Sequence, residues 1–260
     1  MLNALNAAAT GMTAQAKQVE VISNNLANAD TVAFKKSRAE FQDLLYQNIK
    51  EPGSATSATT QNPTGIQIGA GVQVSAVARE HMDGRPRGTA RELDVAIGGQ
   101  GFFAIQMPNG EIGYTRDGSF NRNADGTLVT SSGFPLAPEI VIPPNARAVN
   151  ITGDGRVTIS LDNGEPQEVG QIQLMSFANP TGLQASGGNL YMASPSSGAP
   201  IPGTPGDNGT GVLLQRHLES SNVEPVTEMT DLIRAQRVYE LNSKVITSTD
   251  QMMSTLNQLK

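Results

Sequence analysis

The chain of 260 residues contains no cysteine and no tryptophan, and only 4% of its residues are aromatic. The absence of cysteine excludes disulfides, thiolate metal sites and cysteine nucleophiles, and it is compatible with passage through an oxidising compartment. Large aromatic anchors are few, whereas 27 glycines and 15 prolines provide many turns. This composition favours a β-rich interior with frequent chain reversals.

Basic charge and long apolar runs are also scarce. A net charge of −6 argues against a nucleic-acid partner, because phosphate binding requires a concentrated basic surface. We interpret the short basic runs at 35–38 and 85–91 as solvated faces. No stretch approaches the roughly 20 apolar residues of a membrane-spanning helix. The first cation is Lys17, so we expect neither membrane insertion nor a cleaved signal peptide.

Each end of the chain shows the apolar spacing of a helix. Residues three and four apart form heptad seams, which predict coiled-coil helices, and the second helix is predicted to start near residue 222, with Pro225 in its first turn. The predicted self-assembly residues of these seams are Leu2, Leu5, Met12, Val19 and Leu26, then Leu232, Tyr239, Ile246, Met253 and Leu256. A second stripe in the C-terminal helix contains Val238, Leu241, Val245, Met252 and Leu259.

The middle of the chain changes to a period of two. Segments such as 71–77, 156–160 and 171–177 alternate apolar and polar residues, as half-buried strands do. Asn-Gly and Asp-Gly pairs between them, such as Asn109-Gly110 and Asn163-Gly164, predict hairpins. The low apolar content of residues 50–65 predicts an extended loop. The predicted fold is therefore α+β, with N- and C-terminal coiled-coil helices packed together and enclosing a β-rich central domain. We predict a helical domain from 1–35 plus 222–260, a connecting segment from 36–65 with an extended loop, and a β domain from 66–221.

Enzyme signatures are weak. Gly98-Gly99-Gln100-Gly101 lacks the Gly-Lys-Ser/Thr ending of a phosphate-binding loop, and Asn121-x-Asn123-x-Asp125-Gly126 lacks the twelfth-position acid of a calcium loop. We interpret both as turns. We therefore expect no catalytic, metal or cofactor site, although an enzyme with a β-rich body and a closed coiled-coil scaffold or adhesin remain alternatives.

Three motifs resemble the flagellar rod, hook and hook-associated proteins. The first is Ser23-Asn-Asn-Leu-Ala-Asn-Ala-Asp-Thr-Val-Ala-Phe-Lys-Lys36. Its matching residues are Asn24, Asn25, Leu26, Ala27, Asn28, Thr31, Phe34 and Lys35, and Ala33 stands where the family usually has glycine. The second is Gly99-Gln-Gly-Phe-Phe-Ala-Ile105, with Gly101, Phe102 and Phe103, followed by Tyr114-Thr-Arg-Asp-Gly-Ser-Phe120. The third is Gln236-Arg-Val-Tyr-Glu-Leu-Asn-Ser-Lys244.

This resemblance implies a structural subunit that polymerises into a helical tube. Chain length and the segment 46–69 favour the distal rod branch of the family, with a proximal rod subunit or a hook-type protein as the alternative. The resemblance further implies type III export, a place in the basal body that runs through the periplasm and the outer-membrane ring, and contacts with itself, proximal rod proteins, hook protein, and the P- and L-ring bushing proteins.

Overall fold

The computed structural model describes residues 2–53, 63–161, 166–207 and 209–258. Contacts divide the chain into two compact units, and neither unit is continuous in sequence. Unit 1 comprises Met1–Ala27, Ser37–Arg79 and Glu224–Lys260, and unit 2 comprises Asn28–Lys36 and Glu80–Val223. The predicted helices at both ends and the β-rich centre are confirmed, whereas the predicted domain limits stay a prediction.

Unit 1 is built from two long helices and two short antiparallel ribbons. Its first helix is rich in alanine, which has the highest helix propensity, and its last helix begins with proline, whose fixed φ suits the first helical position. Strand β1 pairs with β4, and β2 pairs with β3. The elements are α1 (Leu2–Ala27), β1 (Ser37–Asp43), β2 (Tyr46–Lys50), β3 (Ile66–Gly69), β4 (Val72–Arg79) and α2 (Pro225–Gln258).

Unit 2 contains sixteen of the strands in the described parts of the chain. A seven-stranded sheet has the order β16-β17-β8-β7-β15-β18 with β11 also paired to β7, and β12-β13-β14 form a three-stranded meander. Three two-stranded ribbons pair β6 with β19, β5 with β20 and β9 with β10. The strands are β5 (Pro86–Gly88), β6 (Val95–Gly98), β7 (Phe102–Gln106), β8 (Ile112–Thr115), β9 (Asn121–Arg122), β10 (Leu128–Val129), β11 (Leu136–Ala137), β12 (Ala146–Ile151), β13 (Arg156–Leu161), β14 (Pro166–Gln171), β15 (Leu174–Ser176), β16 (Gln184–Gly187), β17 (Leu190–Met192), β18 (Ile201–Gly203), β19 (Val212–Gln215) and β20 (His217–Glu219).

Local sequence signals explain much of unit 2. The alternating segment 156–160 lies in β13, where Val157 and Ile159 are buried and their neighbours are not. Gly110 and Gly155 adopt positive φ in the turns β7–β8 and β12–β13, which glycine tolerates without a steric penalty. The turn predicted at Asn163-Gly164 and most of the loop predicted at 50–65 lie outside the described residues.

The core of unit 2 forms two hydrophobic clusters. The larger cluster contains sixteen buried residues between Val95 and Leu213, including Phe103 and Phe120, whose ring centroids are 5.1 Å apart. The smaller cluster is aromatic and contains Phe102, Tyr114, Phe177, Leu183 and Tyr191. Both clusters use residues of unit 2 alone, so this unit buries its apolar side chains within itself.

Candidate assembly surfaces and a buried ion cluster

Large apolar side chains are exposed mainly on unit 1. Among the described residues, fifteen of the twenty exposed large hydrophobics belong to this unit. Their exposed fractions reach 90% at Leu45 and 74% at Val226. Scattered single hydrophobics are normal on a protein surface, but a concentration of this kind indicates a surface that another molecule covers. The fifteen are Phe41, Leu45, Tyr46, Ile49, Ile66, Ile68, Val77, Val226, Met229, Ile233, Tyr239, Leu241, Val245, Met252 and Leu256.

Helices α1 and α2 pack against each other in antiparallel register. Asn25 near the end of α1 donates a 3.2 Å hydrogen bond to Glu228 near the start of α2. Further along the pair, a Cβ built on Gly11 would lie 3.0 Å from the amide nitrogen of Asn242. Glu228, Asn242 and Thr249 are spaced by multiples of seven, so polar layers recur along the α2 face that meets α1.

The predicted seam residues differ in their exposure. Those that are half-buried are Leu5, Met12, Val19, Leu26, Leu232, Ile246 and Met253. Tyr239 and Leu256 are exposed by 43% and 48%. Leu2 lies in α1, but its side chain is outside the described set. Partial burial of a repeated apolar seam leaves surface for neighbouring chains, and the assembly role of these ten residues stays a prediction.

The motif at the end of α1 includes one residue that organises unit 1. The Asn25 side chain accepts a hydrogen bond from Ser37 N–H at 2.9 Å and donates one to Ser37 C=O at 2.8 Å, so it ties β1 to the helix pair. Asn25 is 2% exposed. The neighbouring residues of the motif are less buried. Asn24 and Ala27 are exposed, and Leu26 and Asn28 are half-buried.

The motif continues into unit 2 through a tight turn. Ala33 has a φ of 57°, a left-handed conformation that glycine adopts with less strain. Phe34 is half-buried, and its carbonyl accepts a 3.3 Å hydrogen bond from Asn222 N–H. In the second motif, Gly101 has a φ of 135°, and a Cβ there would lie 3.2 Å from Leu174. Phe102 and Phe103 point into the two core clusters of unit 2.

A buried ion cluster lies within unit 2. Glu219 accepts a hydrogen bond from Lys35 Nζ at 2.5 Å on one carboxylate oxygen and from Arg116 Nε at 2.8 Å on the other. The side chains of these three residues are at most 2% exposed. Arg116 also contacts Asp83, at 2.9 Å, and donates a hydrogen bond to Gly99 C=O at 3.0 Å. Because all three charges are paired, the cluster avoids the cost of a lone buried ion.

Burial and neighbouring charge shift the pKa values in this cluster in opposing ways. Burial, followed by the charge of Arg116, lowers the pKa of Lys35 despite the nearby carboxylate of Glu219. Burial alone would raise the pKa of Glu219, but the charges of Arg116 and Lys35 outweigh it and lower that pKa. The carboxylate form of Glu219 is therefore held by its two basic partners.

The buried cluster corrects the interpretation of the basic run at 35–38. Lys35 is 0% exposed and does not lie on a solvated face. Its partner Glu219 is 184 residues away in sequence, so no local pattern could have revealed the pair. Lys35 lies in the first family motif and Arg116 in the second. Their place in these motifs was the sequence signal that could have singled them out.

The segments 98–101 and 121–126, which partly match phosphate-binding and calcium loops, form turns. Asn123 accepts a 2.6 Å hydrogen bond from Asp125 N–H within the β9–β10 hairpin, and Gly99 has a φ of 118°. Across the described residues no group of histidine, cysteine or acidic side chains could hold a metal ion. No helix in the described part of the chain is long and apolar enough to cross a membrane.

Family comparisons agree with this arrangement. The family described as Flagella basal body rod protein matches residues 5–35, the Flagellar hook protein FlgE/F/G D1 domain matches residues 96–159, and the Flagellar basal body rod FlgEFG protein C-terminal family matches residues 214–259. A flagellar basal-body rod protein FlgG from Caulobacter vibrioides is 49% identical over 261 residues, and one from Buchnera aphidicola is 47% identical over 260 residues. Both alignments cover 100% of each chain.

The chain belongs to the FlgG family of flagellar basal-body rod proteins. It is a structural subunit of the flagellar rod, and the predicted family and function are confirmed. The alternative of a proximal rod or hook-type protein is not favoured, because full-length relatives carry the FlgG name. A solved hook protein, FlgE2 of Helicobacter pylori, is 15% identical and covers 71% of this chain and 43% of its own, but a TM-score of 0.26 adds no support.

Proposed function

We propose that this FlgG-family chain is the distal rod subunit and polymerises with copies of itself into a straight helical tube that transmits torque from motor to hook. The observation that carries the proposal is the concentration of exposed large hydrophobics on unit 1. Burial of apolar surface contributes about 25 cal/mol per Å², so covering these side chains in neighbouring copies favours assembly. Helices α1 and α2 form the inner coiled-coil wall, and unit 2 forms the outer wall.

Membership of the flagellar rod family is the basis for proposing the other partners of the subunit. The rod grows on proximal rod proteins, receives hook protein at its outer end, and turns inside the P- and L-ring bushing proteins. The subunit reaches the periplasm through the flagellar type III apparatus without signal cleavage. The predicted assembly residues from Leu2 to Leu256 supply the inner contacts. The segment 46–65 contacts neighbouring subunits and resists bending.

Assembly of the purified chain tests this function. With rising concentration, sedimentation and electron microscopy should show open polymers whose subunits are related by a screw axis, because heterologous contacts with a non-closing rotation give filaments. Closed rings with cyclic symmetry would support the scaffold alternative. A chain that stays monomeric at all concentrations, including on added proximal rod ends, would contradict the proposal.

A further inference from the structure

A groove runs along one side of the α1–α2 pair in unit 1. It is lined by Ala16 and Val19 of α1 and by Gln236, Tyr239 and Glu240 of α2, and its volume is about 390 Å³. Its largest apolar lining residues are Tyr239, which is 43% exposed, and Val19, which is half-buried. The groove is therefore an open channel between two helices.

Neither ribbon of unit 1 lines this groove, and the β1–β4 ribbon lies elsewhere along α1. It packs on α1 near Thr10, whose hydroxyl lies 3.4 Å from Val72 N–H. Helix periodicity of 3.6 residues per turn places Thr10 and Ala14 on one side of α1 and Met12 and Val19 on the other. The groove side of α1 is thus the predicted seam, and in a single chain it is only half-buried.

Helix α2 carries an apolar stripe on its opposite flank. We define the outer stripe as Leu241, Val245 and Met252, which are 59%, 45% and 49% exposed. Ala235 and Thr249, which are 4% and 3% exposed, lie on the α1-facing side between this stripe and the groove. Spacings of four and seven residues keep the stripe on one face of the helix.

We propose that the groove of one copy receives the outer stripe of α2 from a second copy of this chain. The inference rests on the proposed polymerisation and assigns the two faces that meet. Apolar side chains repeating at three, four and seven residues pack between the ridges of two neighbouring helices. The groove and the stripe belong to the same helix pair, so every copy supplies both halves of the contact.

Charge favours the same occupant. Glu240 lines the groove, its side chain is 61% exposed, and its carboxylate makes a long 3.9 Å ion pair with Arg237 of the same helix. The basic residue Lys244 lies beside the outer stripe on α2 and is exposed, and so is Arg234, which pairs with Asp231 of the same helix at 3.0 Å. Opposite charges at the edges of two apolar surfaces select the correct partner and orientation more than they add affinity.

The two faces point away from each other, and this determines the type of assembly. A copy that inserts its outer stripe into a neighbour still has its own groove open for the next copy. Such a contact is heterologous, and it repeats without limit unless the rotation closes. The α1–α2 pair thereby explains open growth with a single kind of contact.

Disulfide trapping tests the contact directly, because the natural chain has no cysteine. Val19→Cys places a thiol in the groove, and Val245→Cys places one on the stripe. Mixed under mild oxidation, the two variants should form heterodimers at least about tenfold faster than either alone, because the docked thiols gain a high effective concentration. The matched control pairs Val19→Cys with Ile201→Cys, an exposed position of unit 2. Heterodimers no faster than this control, or equally fast Val245→Cys homodimers, would overturn the proposal.

Blocked variants distinguish this contact from polymerisation in general. Ala16→Lys obstructs the groove at an exposed position, and Val245→Asp charges the stripe. Each variant alone should stay monomeric, and an equimolar mixture should stop at a dimer, since one groove and one stripe remain intact. Polymers from either variant, while the natural chain also polymerises, would reject the groove and stripe but leave the rod function standing. A natural chain that never polymerises would instead reject the rod function.

Discussion

Unit 2 and unit 1 differ in how completely they bury their large apolar side chains. Unit 2 contains both hydrophobic clusters, with phenylalanine, leucine and isoleucine at or below 9% exposure. The buried apolar residues of unit 1 in the described regions are mostly small, and they are Ala8, Ala14, Val21, Ile22, Ala39 and Ala235. Fifteen of its large apolar residues are exposed, and those of the predicted seams are mostly half-buried. We infer that unit 2 is stable by itself, whereas unit 1 depends on other copies to complete its burial.

The largest expected effect concerns the ion cluster of unit 2. Glu219→Gln leaves Lys35 buried without a paired carboxylate and leaves Arg116 only its contact with Asp83, which should cost unit 2 about 3–5 kcal/mol. Urea unfolding followed by hydrogen exchange in β6 and β7 measures this loss. The control is Asp83→Asn, because the Asp83 side chain is 47% exposed and should contribute less than about 1 kcal/mol. A loss from Glu219→Gln as small as that of the control would show that the cluster does not stabilise unit 2.

Ile246→Asp separates assembly from the stability of unit 2. Ile246 is half-buried on the predicted seam of α2, and an unpaired carboxylate that neighbouring helices bury costs several kcal/mol. We expect a soluble chain that does not polymerise and whose unit 2 unfolds normally in calorimetry. Thr247→Asp, at an exposed neighbouring position, is the matched control. Normal assembly of the Ile246 variant, or loss of the unit 2 transition, would refute the division of roles between the units.

Asn25→Ala should weaken unit 1 without affecting unit 2. The change removes the hydrogen bonds to Ser37 and Glu228, and leaving buried polar groups unsatisfied costs about 1–3 kcal/mol. Hydrogen exchange of β1 and the start of α2 should accelerate, while that of β7 should not change. Ser23→Ala, on the exposed side of α1, serves as the comparison. Equal acceleration in both units would mean that they unfold together.

The unfolding free energy of unit 2 should depend on pH through Glu219, with a smaller effect than the substitutions above. The pKa of Glu219 is lowered from the ordinary value of 4.5 in the folded chain, so the unfolded chain binds its proton first as the pH falls. This contribution to stability is complete above pH 4.5 and declines as the pH falls through the folded-state pKa. The difference in unfolding free energy between the natural chain and Glu219→Gln should therefore narrow in acid. A constant difference across that range would contradict the shift.

Deleting residues 54–62, which belong to the segment proposed to brace the rod, should alter the shape of the polymer. These residues lie between β2 and β3 and outside the described parts of the chain. Because the segment is proposed to brace neighbouring subunits, the deletion variant should polymerise into curved filaments. Straight filaments of equal stiffness in electron micrographs would remove the bracing role.

Short-range patterns in the sequence were sufficient for the elements and the family. Heptad spacing predicted α1 and α2, and alternation predicted strands such as β13. The last helix was predicted to start near residue 222 with Pro225 in its first turn, whereas it begins at Pro225 itself. These signals are local, because side chains on one face of a helix or strand recur at fixed intervals. The motif around Asn25 and the motif around Phe102 then identified the family.

Only the tertiary structure decided which distant residues meet. It brought Glu219 to Arg116, 103 residues away, and to Lys35, and it placed β1 and β4 with the terminal helices in unit 1. The spacing of apolar residues had predicted two stripes on α2. The structure showed that one of them, at Tyr239, lines a groove with α1, whereas the outer stripe is exposed on the other flank of the helix. Pairing across long sequence separations depends on how the chain folds back on itself, and no local periodicity encodes that choice.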